Sequence, residues 1–114
     1  MQRLLTKERI DSQELETLLE ARKEGKVDFL LIDVREEHEY DAGHLEGVDM
    51  LKPTSIFSQW GQVLFTEAKE QTIIFTCRTG SRSGQVQDVF RDNGHTGVIN
   101  HTGGIVSYNG KIER

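Results

Sequence analysis

Apolar positions recur at helical spacing from about Gln13 to Glu24, where Leu15, Leu18, Leu19 and the aliphatic stem of Arg22 fall on one face. Asp11 and Ser12 precede this stretch as N-cap candidates, and Gly25 follows as its stop. Two other runs have a different pattern. Phe29-Leu30-Leu31-Ile32-Asp33-Val34 and Thr72-Ile73-Ile74-Phe75-Thr76 are short and almost continuously apolar, as strands covered on both faces are. Between them, Glu36 to Tyr40 predicts a short helix, and Gly43 and Gly47 bracket a turn into a weaker strand near Val48 to Leu51. Ser55 to Lys69 predicts a helix with Ile56, Phe57, Trp60, Val63 and Leu64 facing inward and Gly61 as its weak point. Trp60 reads as core.

After the second buried run, Cys77-Arg78-Thr79-Gly80-Ser81-Arg82-Ser83 leads into a helix with Val86, Val89 and Phe90 as its stripe and Asn93-Gly94 as its end. Gly97 to Asn100 predicts a last strand, and Gly103-Gly104 opens a short closing helix through Tyr108. Strands alternating with helices predict an α/β fold: a small parallel sheet flanked by helices on both faces. With 114 residues, no internal repeat, and a sole proline, Pro53, between two elements, one domain spanning 1–114 is expected.

Composition narrows the functional classes. Hydrophobic residues at 35% and charged residues at 29% argue against disorder and against a membrane-embedded chain. A net charge of −5 gives no general attraction to nucleic acid, so any anion site is local. No apolar run approaches the length of a membrane span, and Met1 to Glu8 carries nothing like a signal-peptide core. The expected location is the cytoplasm, although a chain trimmed of a leader would read the same way.

The single cysteine, Cys77, excludes an intrachain disulfide and a Cys-rich zinc cluster, and leaves no resolving thiol. Any product formed on it passes to an outside acceptor or another chain. A reactive cysteine needs its thiolate stabilised by a helix N-terminus, nearby cations or backbone N–H groups. The Cys77 segment offers all three: it joins a buried strand to a helix, Gly80 permits a positive φ for a curl of N–H groups, and Arg78 and Arg82 add charge. Ser81 and Ser83 add hydroxyl donors or a helix cap. The plainer alternative makes Cys77 a small buried hydrophobe, Gly80 turn punctuation and the arginines solvated surface.

The segment Cys77-Arg78-Thr79-Gly80-Ser81-Arg82-Ser83 resembles the active-site loop of the rhodanese family, Cys-x-x-Gly-x-Arg-Ser. Asp33-Val34-Arg35 with Gly43-His44-Leu45-Glu46-Gly47-Val48 resembles the family's first signature, and Asn100-His101-Thr102-Gly103-Gly104-Ile105-Val106-Ser107-Tyr108 its closing Gly-Gly-x-x-x-Trp, with Tyr108 in place of the Trp. The resemblance implies a sulfurtransferase in which Cys77 accepts sulfane sulfur and passes it to a nucleophile. Arg78, Thr79, Gly80, Ser81, Arg82 and Ser83 would form the substrate-binding loop, with Asp33 and Arg35 bracing it. The implied partners are a small sulfur donor, a thiol or cyanide acceptor, and a sulfur-relay protein or a second copy of the chain. Glu36-Glu37-His38-Glu39 is acidic where thiosulfate-preferring relatives carry a basic residue, which argues against thiosulfate as the natural donor.

Taken without the resemblance, Asp33 and Arg35 read as a pair satisfying buried hydrogen bonds, and His44 as the anchor of a turn, with proton donation as the alternative. His38, His95 and His101 lack ligand-like clustering, so neither metal nor cofactor is expected, and Glu67, Lys69 and Glu70 read as a solvated face. Two other functional classes compete. A Cys-dependent phosphatase or arsenate reductase also uses a cradled thiolate, but with Cys-x5-Arg, whereas Arg82 stands at Cys-x4-Arg. Non-catalytic interaction modules of the same family commonly lack the cysteine.

Overall fold

The computed structural model describes residues 2–114, so Met1 of the expected domain lies outside the described residues. In chain order the regular elements are β1 (Arg9–Ile10), α1 (Ser12–Lys23), β2 (Leu30–Asp33), α2 (Glu37–Ala42), β3 (His44–Leu45), β4 (Met50–Leu51), α3 (Phe57–Glu67), β5 (Ile73–Thr76), α4 (Ser81–Asp92), β6 (Val98–His101) and β7 (Ile112–Glu113). One sheet has the order β1-β6-β5-β2-β4 with every neighbouring pair parallel; β3 and β7 make a separate antiparallel pair.

Period-2 alternation sorts the strand residues onto two faces. Leu31, Ile74 and Ile99 lie in register and pack with Leu15, Leu18 and Leu19 of α1. Ile32, Ile73, Phe75 and Val98 point the other way, onto Trp60 and Leu64 of α3 and Val86 and Phe90 of α4. The expected α/β architecture is therefore present, with β5 at the centre and buried throughout. Asp11 caps α1 in a reciprocal box, accepting from Glu14 N at 2.8 Å while Glu14 Oε1 accepts from Asp11 N at 3.0 Å.

Several expectations need correction. The Ser55 to Lys69 stretch is a 3-10 turn, Thr54–Ile56, followed by α3, and Ile56 and Val63 are exposed. Trp60 sets the rotation of α3, because its ring is buried and its Nε1 donates to Pro53 O at 2.7 Å. That turns Val63 outward. Val89 is also exposed, since the buried stripe of α4 runs through Ser83, Val86, Gln87 and Phe90. The closing helix is a single 3-10 turn, Ile105–Ser107. β1 and the β3–β7 pair, each strand two residues long, carry no periodic signal and were not expected.

Polar residues also enter the α1 side. His101 of β6 is fully buried, with Nδ1 2.8 Å from Thr76 Oγ1 and Nε2 2.7 Å from Ser12 Oγ. Burial disfavours the imidazolium and lowers its pKa from 6.5 to about 4, with Asp11 opposing. Because the folded-state value lies below the unfolded one, this group's stabilisation is complete above pH 6.5 and is lost as pH falls towards 4. Calorimetry across that window should show a loss of stability on the order of 3 kcal/mol at most. His101→Gln should remove most of this leg; a profile parallel to that of the unaltered protein would assign the acid loss elsewhere.

Candidate active site

Cys77 follows the last residue of β5, at the carboxyl edge of the sheet, where open parallel sheets place their ligands. Its side chain is buried, and Gly80 N, Ser83 Oγ and Ser83 N lie 3.1, 3.3 and 3.5 Å from Sγ. The next helix begins at Ser81, so the sulfur also sits at the N-terminus of α4. Burial acts to raise the thiol pKa. The Ser83 hydroxyl and the N–H groups of Ser83, Thr79 and Gly80 act to lower it and prevail, leaving it below the ordinary value.

The curl depends on two glycines. Gly80, the N-cap of α4, has φ +96°, and a Cβ there would collide with the Thr102 carbonyl. Gly104 has φ +63°, and a Cβ there would collide with the Arg78 carbonyl. The Gly103-Gly104 turn thus lies directly against the cysteine loop, where Ile105 N donates to Cys77 O at 2.9 Å and Val106 N to Arg78 O at 3.2 Å.

The charges are arranged differently from the sequence expectation. Arg82 is held by Glu39 of α2 through two bonds, 2.7 and 3.0 Å, and this pairing lowers the Glu39 pKa to about 2. Arg78, Thr79 and Ser81 are exposed. No side chain caps α4, so Ser81 is its first residue rather than a cap. Asp33 and Arg35 do form a buried pair, at 2.8 and 3.0 Å, but Arg35 also donates to Gly43 O at 2.8 Å and Glu39 O at 3.3 Å. The pair therefore braces the α2–β3 connection rather than the cysteine loop, reaching the loop only through Glu39. His44 stacks on Tyr40 at 3.8 Å and contacts Tyr40 O through Nδ1 at 3.0 Å, which makes it the anchor of that turn.

Two residues of the site were not singled out in the sequence. Glu39 belongs to the acidic segment noted above, yet only the fold brings it to Arg82. Asn100 of β6 donates from Nδ2 to Gly80 O at 3.1 Å and accepts from Ser83 Oγ at 2.6 Å. Its signal was a polar side chain on the sheet face that Phe75 and Val98 make apolar. Among the described residues, no group of three or more His, Cys, Asp or Glu is placed to hold a metal ion, and no helix is long and apolar enough to cross a membrane.

A family model for the rhodanese-like domain matches residues 14–111. The chain belongs to the rhodanese-like family. It is 34% identical over 83 residues to the Bacillus subtilis protein YqhL, covering 73% of this chain and 63% of that one. It is 31% identical over 78 residues to the probable adenylyltransferase/sulfurtransferase MoeZ of Mycobacterium tuberculosis, covering 68% of this chain but 19% of the relative. The rhodanese-like chain therefore spans less than two thirds of these curated relatives. In fold it matches a rhodanese-like domain protein of Staphylococcus aureus with a TM-score of 0.73, at 24% identity and over 94% and 97% of the two chains. It also matches the human single-domain sulfurtransferase TSTD1 with a TM-score of 0.68, at 22% identity and over 89% and 94%.

Thiolate absorbance in the ultraviolet, with Cys77→Ser as the blank, should titrate below the free-cysteine value of about 8.5. Gly80→Ala should raise that midpoint and cost roughly 2 kcal/mol or more of stability, since it combines positive φ with a backbone collision. An unchanged midpoint in a folded Gly80→Ala protein would detach the cradle from the acidity of the thiol.

Proposed function

We propose that this rhodanese-like chain is a sulfurtransferase that carries sulfane sulfur as a persulfide on Cys77. The observation that carries the reading is the convergence of hydroxyl and backbone N–H donors on one sulfur at a helix N-terminus. Family membership supports it, as does the sulfurtransferase named in the Mycobacterium relative.

In the first half-reaction the Cys77 thiolate attacks the sulfane sulfur of the donor. A Cys77–sulfur bond forms, the bond from that sulfur to the rest of the donor breaks, and its electron pair leaves with the remainder as sulfite, a shortened polysulfide or a thiolate. In the second, a thiol or cyanide attacks the terminal sulfur and the electron pair returns to Cys77. Loop N–H groups stabilise anionic sulfur in both. A sulfur-relay protein or a second copy of the chain is the macromolecular counterpart of these small partners, and the cytoplasm the proposed setting.

The phosphatase alternative is disfavoured by the same geometry. α4 starts so soon after Cys77 that the N–H groups close on Sγ itself, and Cys-x4-Arg leaves too short a ring for a phosphoryl group. The non-catalytic alternative gives no reason for donors converging on a cysteine.

After incubation with a sulfane-sulfur donor and removal of the excess, intact mass spectrometry should show one added sulfur on Cys77, removable by cyanide. Cys77→Ser should remain folded and take up none. If polysulfide, thiosulfate and a persulfidated protein all leave a reduced, accessible Cys77 unmodified, the interaction-module reading replaces this one.

Donor preference follows from charge. Among the described residues, Glu39 neutralises Arg82 and leaves Arg78 as the loop cation without an ion pair, which argues against a dianionic donor. Glu39→Gln keeps an acceptor oxygen for the Glu36 N–H and for one Arg82 N–H but removes the counter-charge from the guanidinium. It should raise kcat/KM for thiosulfate by about threefold to tenfold, the scale of one partly exposed charge interaction, while changing turnover with an uncharged organic polysulfide less. An equal change for both donors would remove Glu39 from donor selection.

A further inference from the structure

Ser83 has one hydroxyl proton and two neighbours that compete for it. Its Oγ lies 2.6 Å from Asn100 Oδ1 and 3.3 Å from Cys77 Sγ. The carboxamide orientation is settled by its other end, because Gly80 O, a pure acceptor 3.1 Å away, requires Nδ2 to face it. Flipping the amide would bring two oxygens together. Oδ1 therefore faces Ser83, and since it carries no proton, the hydroxyl must donate to it. Both Ser83 and Asn100 are buried, so water offers neither a substitute.

We infer that Asn100 is a positioning residue for Cys77, holding the Ser83 proton while the sulfur is a neutral thiol and releasing it when the thiolate forms. In the thiol, S–H donates to Ser83 Oγ and Ser83 O–H donates to Asn100 Oδ1, so every proton has an acceptor. Ionisation sends the thiol proton to solvent. The hydroxyl then turns to the thiolate, and Asn100 Oδ1 loses its donor. Asn100 thus restrains the Ser83 contribution to thiolate stability. Once a sulfur is loaded, negative charge sits on the terminal atom and Sγ is neutral, so the proton returns to Asn100. The arrangement favours the resting thiol and the persulfide over the bare thiolate between them.

The charged group coupled to the sulfur is Arg82 of α4, itself facing Glu39 of α2 and the neighbouring Glu36; exposed Arg78 lies on the loop, and buried His101, next to Asn100 in β6, faces α1 instead. None is altered in the test. The inference rests on the sulfurtransferase reading only in taking Cys77 as the nucleophile, and the readout is the thiol's titration rather than turnover.

Asn100→Ala, with Asn100→Leu as a variant closer in size, should move the Cys77 midpoint down by about half to one pH unit, the scale of one neutral hydrogen bond. In a Ser83→Ala background the same substitution should move it by much less. A role confined to anchoring the Gly80 carbonyl predicts the opposite sign, because a loosened cradle raises the midpoint. An upward shift, no shift, or an equal downward shift without the Ser83 hydroxyl would each overturn the proposal. On the unaltered protein, the Asn100 carboxamide carbon resonance should titrate together with Cys77; a resonance flat through the Cys77 midpoint would overturn it as well.

Discussion

The loop after β5 and the turn after β6 approach each other so closely that neither has room for a Cβ at the contact. Gly80 lies against the Thr102 carbonyl and Gly104 against the Arg78 carbonyl, each with positive φ. This interlock turns a strand–loop–helix connection into a sulfur cradle. Held from behind by hydrogen bonds to the Cys77 and Arg78 carbonyls, the loop keeps its own N–H groups inward, towards Sγ. The sheet supplies the registration. β5 and β6 are paired from Ile73↔Val98 to Phe75↔Asn100, so the two connections leave the same edge at neighbouring points.

The surroundings of the Cys77 sulfur are built mainly from dipoles. A buried sulfur is expensive to ionise, and the offset comes from Ser83, Thr79 and Gly80 rather than from a free guanidinium. Arg82 is near enough to feel the sulfur, yet Glu39 holds it and brings α2 into the site. Asp33 and Arg35 stand behind that contact, since Arg35 ties the strand end to the Glu39 and Gly43 carbonyls. Sequence signatures 43 residues apart thus meet in one electrostatic unit.

Much of this is legible in the sequence itself. The two buried strands, α1 with a cap at Asp11 or Ser12, and the Cys77 loop follow from apolar runs and local chemistry that each residue carries with it. Less local features are not. Glu39 pairs with Arg82 only after β2 and β5 are laid side by side, and the two-residue β1 exists only because the longer β6 offers it an edge, while β3 and β7 form only against each other. Helix rotation was the other blind spot. Val63 and Val89 are as apolar as their buried neighbours, and the choice of face was made by Trp60 reaching Pro53 and by Ser83 and Gln87 turning inward. Polar contacts, which hydrophobic periodicity ignores, decided both rotations.

The two sides of β6 show why polar residues persist in so small a core. Asn100 faces α4 and the cysteine loop, while His101, one residue on, faces α1 and reaches Ser12 and Thr76. An aliphatic residue at either place would suit the surrounding cluster better and would avoid desolvating a polar group. Neither would hold anything in place. His101 ties the start of α1 to the last residue of β5, and Asn100 ties the loop that follows to the first turn of α4. Cys77 is the next residue after Thr76, so its backbone is fixed from the α1 side and its surroundings from the α4 side. Apolar packing is non-directional and would leave a sulfur atom free to shift relative to its donors. Hydrogen bonds at fixed distances from both layers define its position, and N–H stabilisation depends steeply on that geometry.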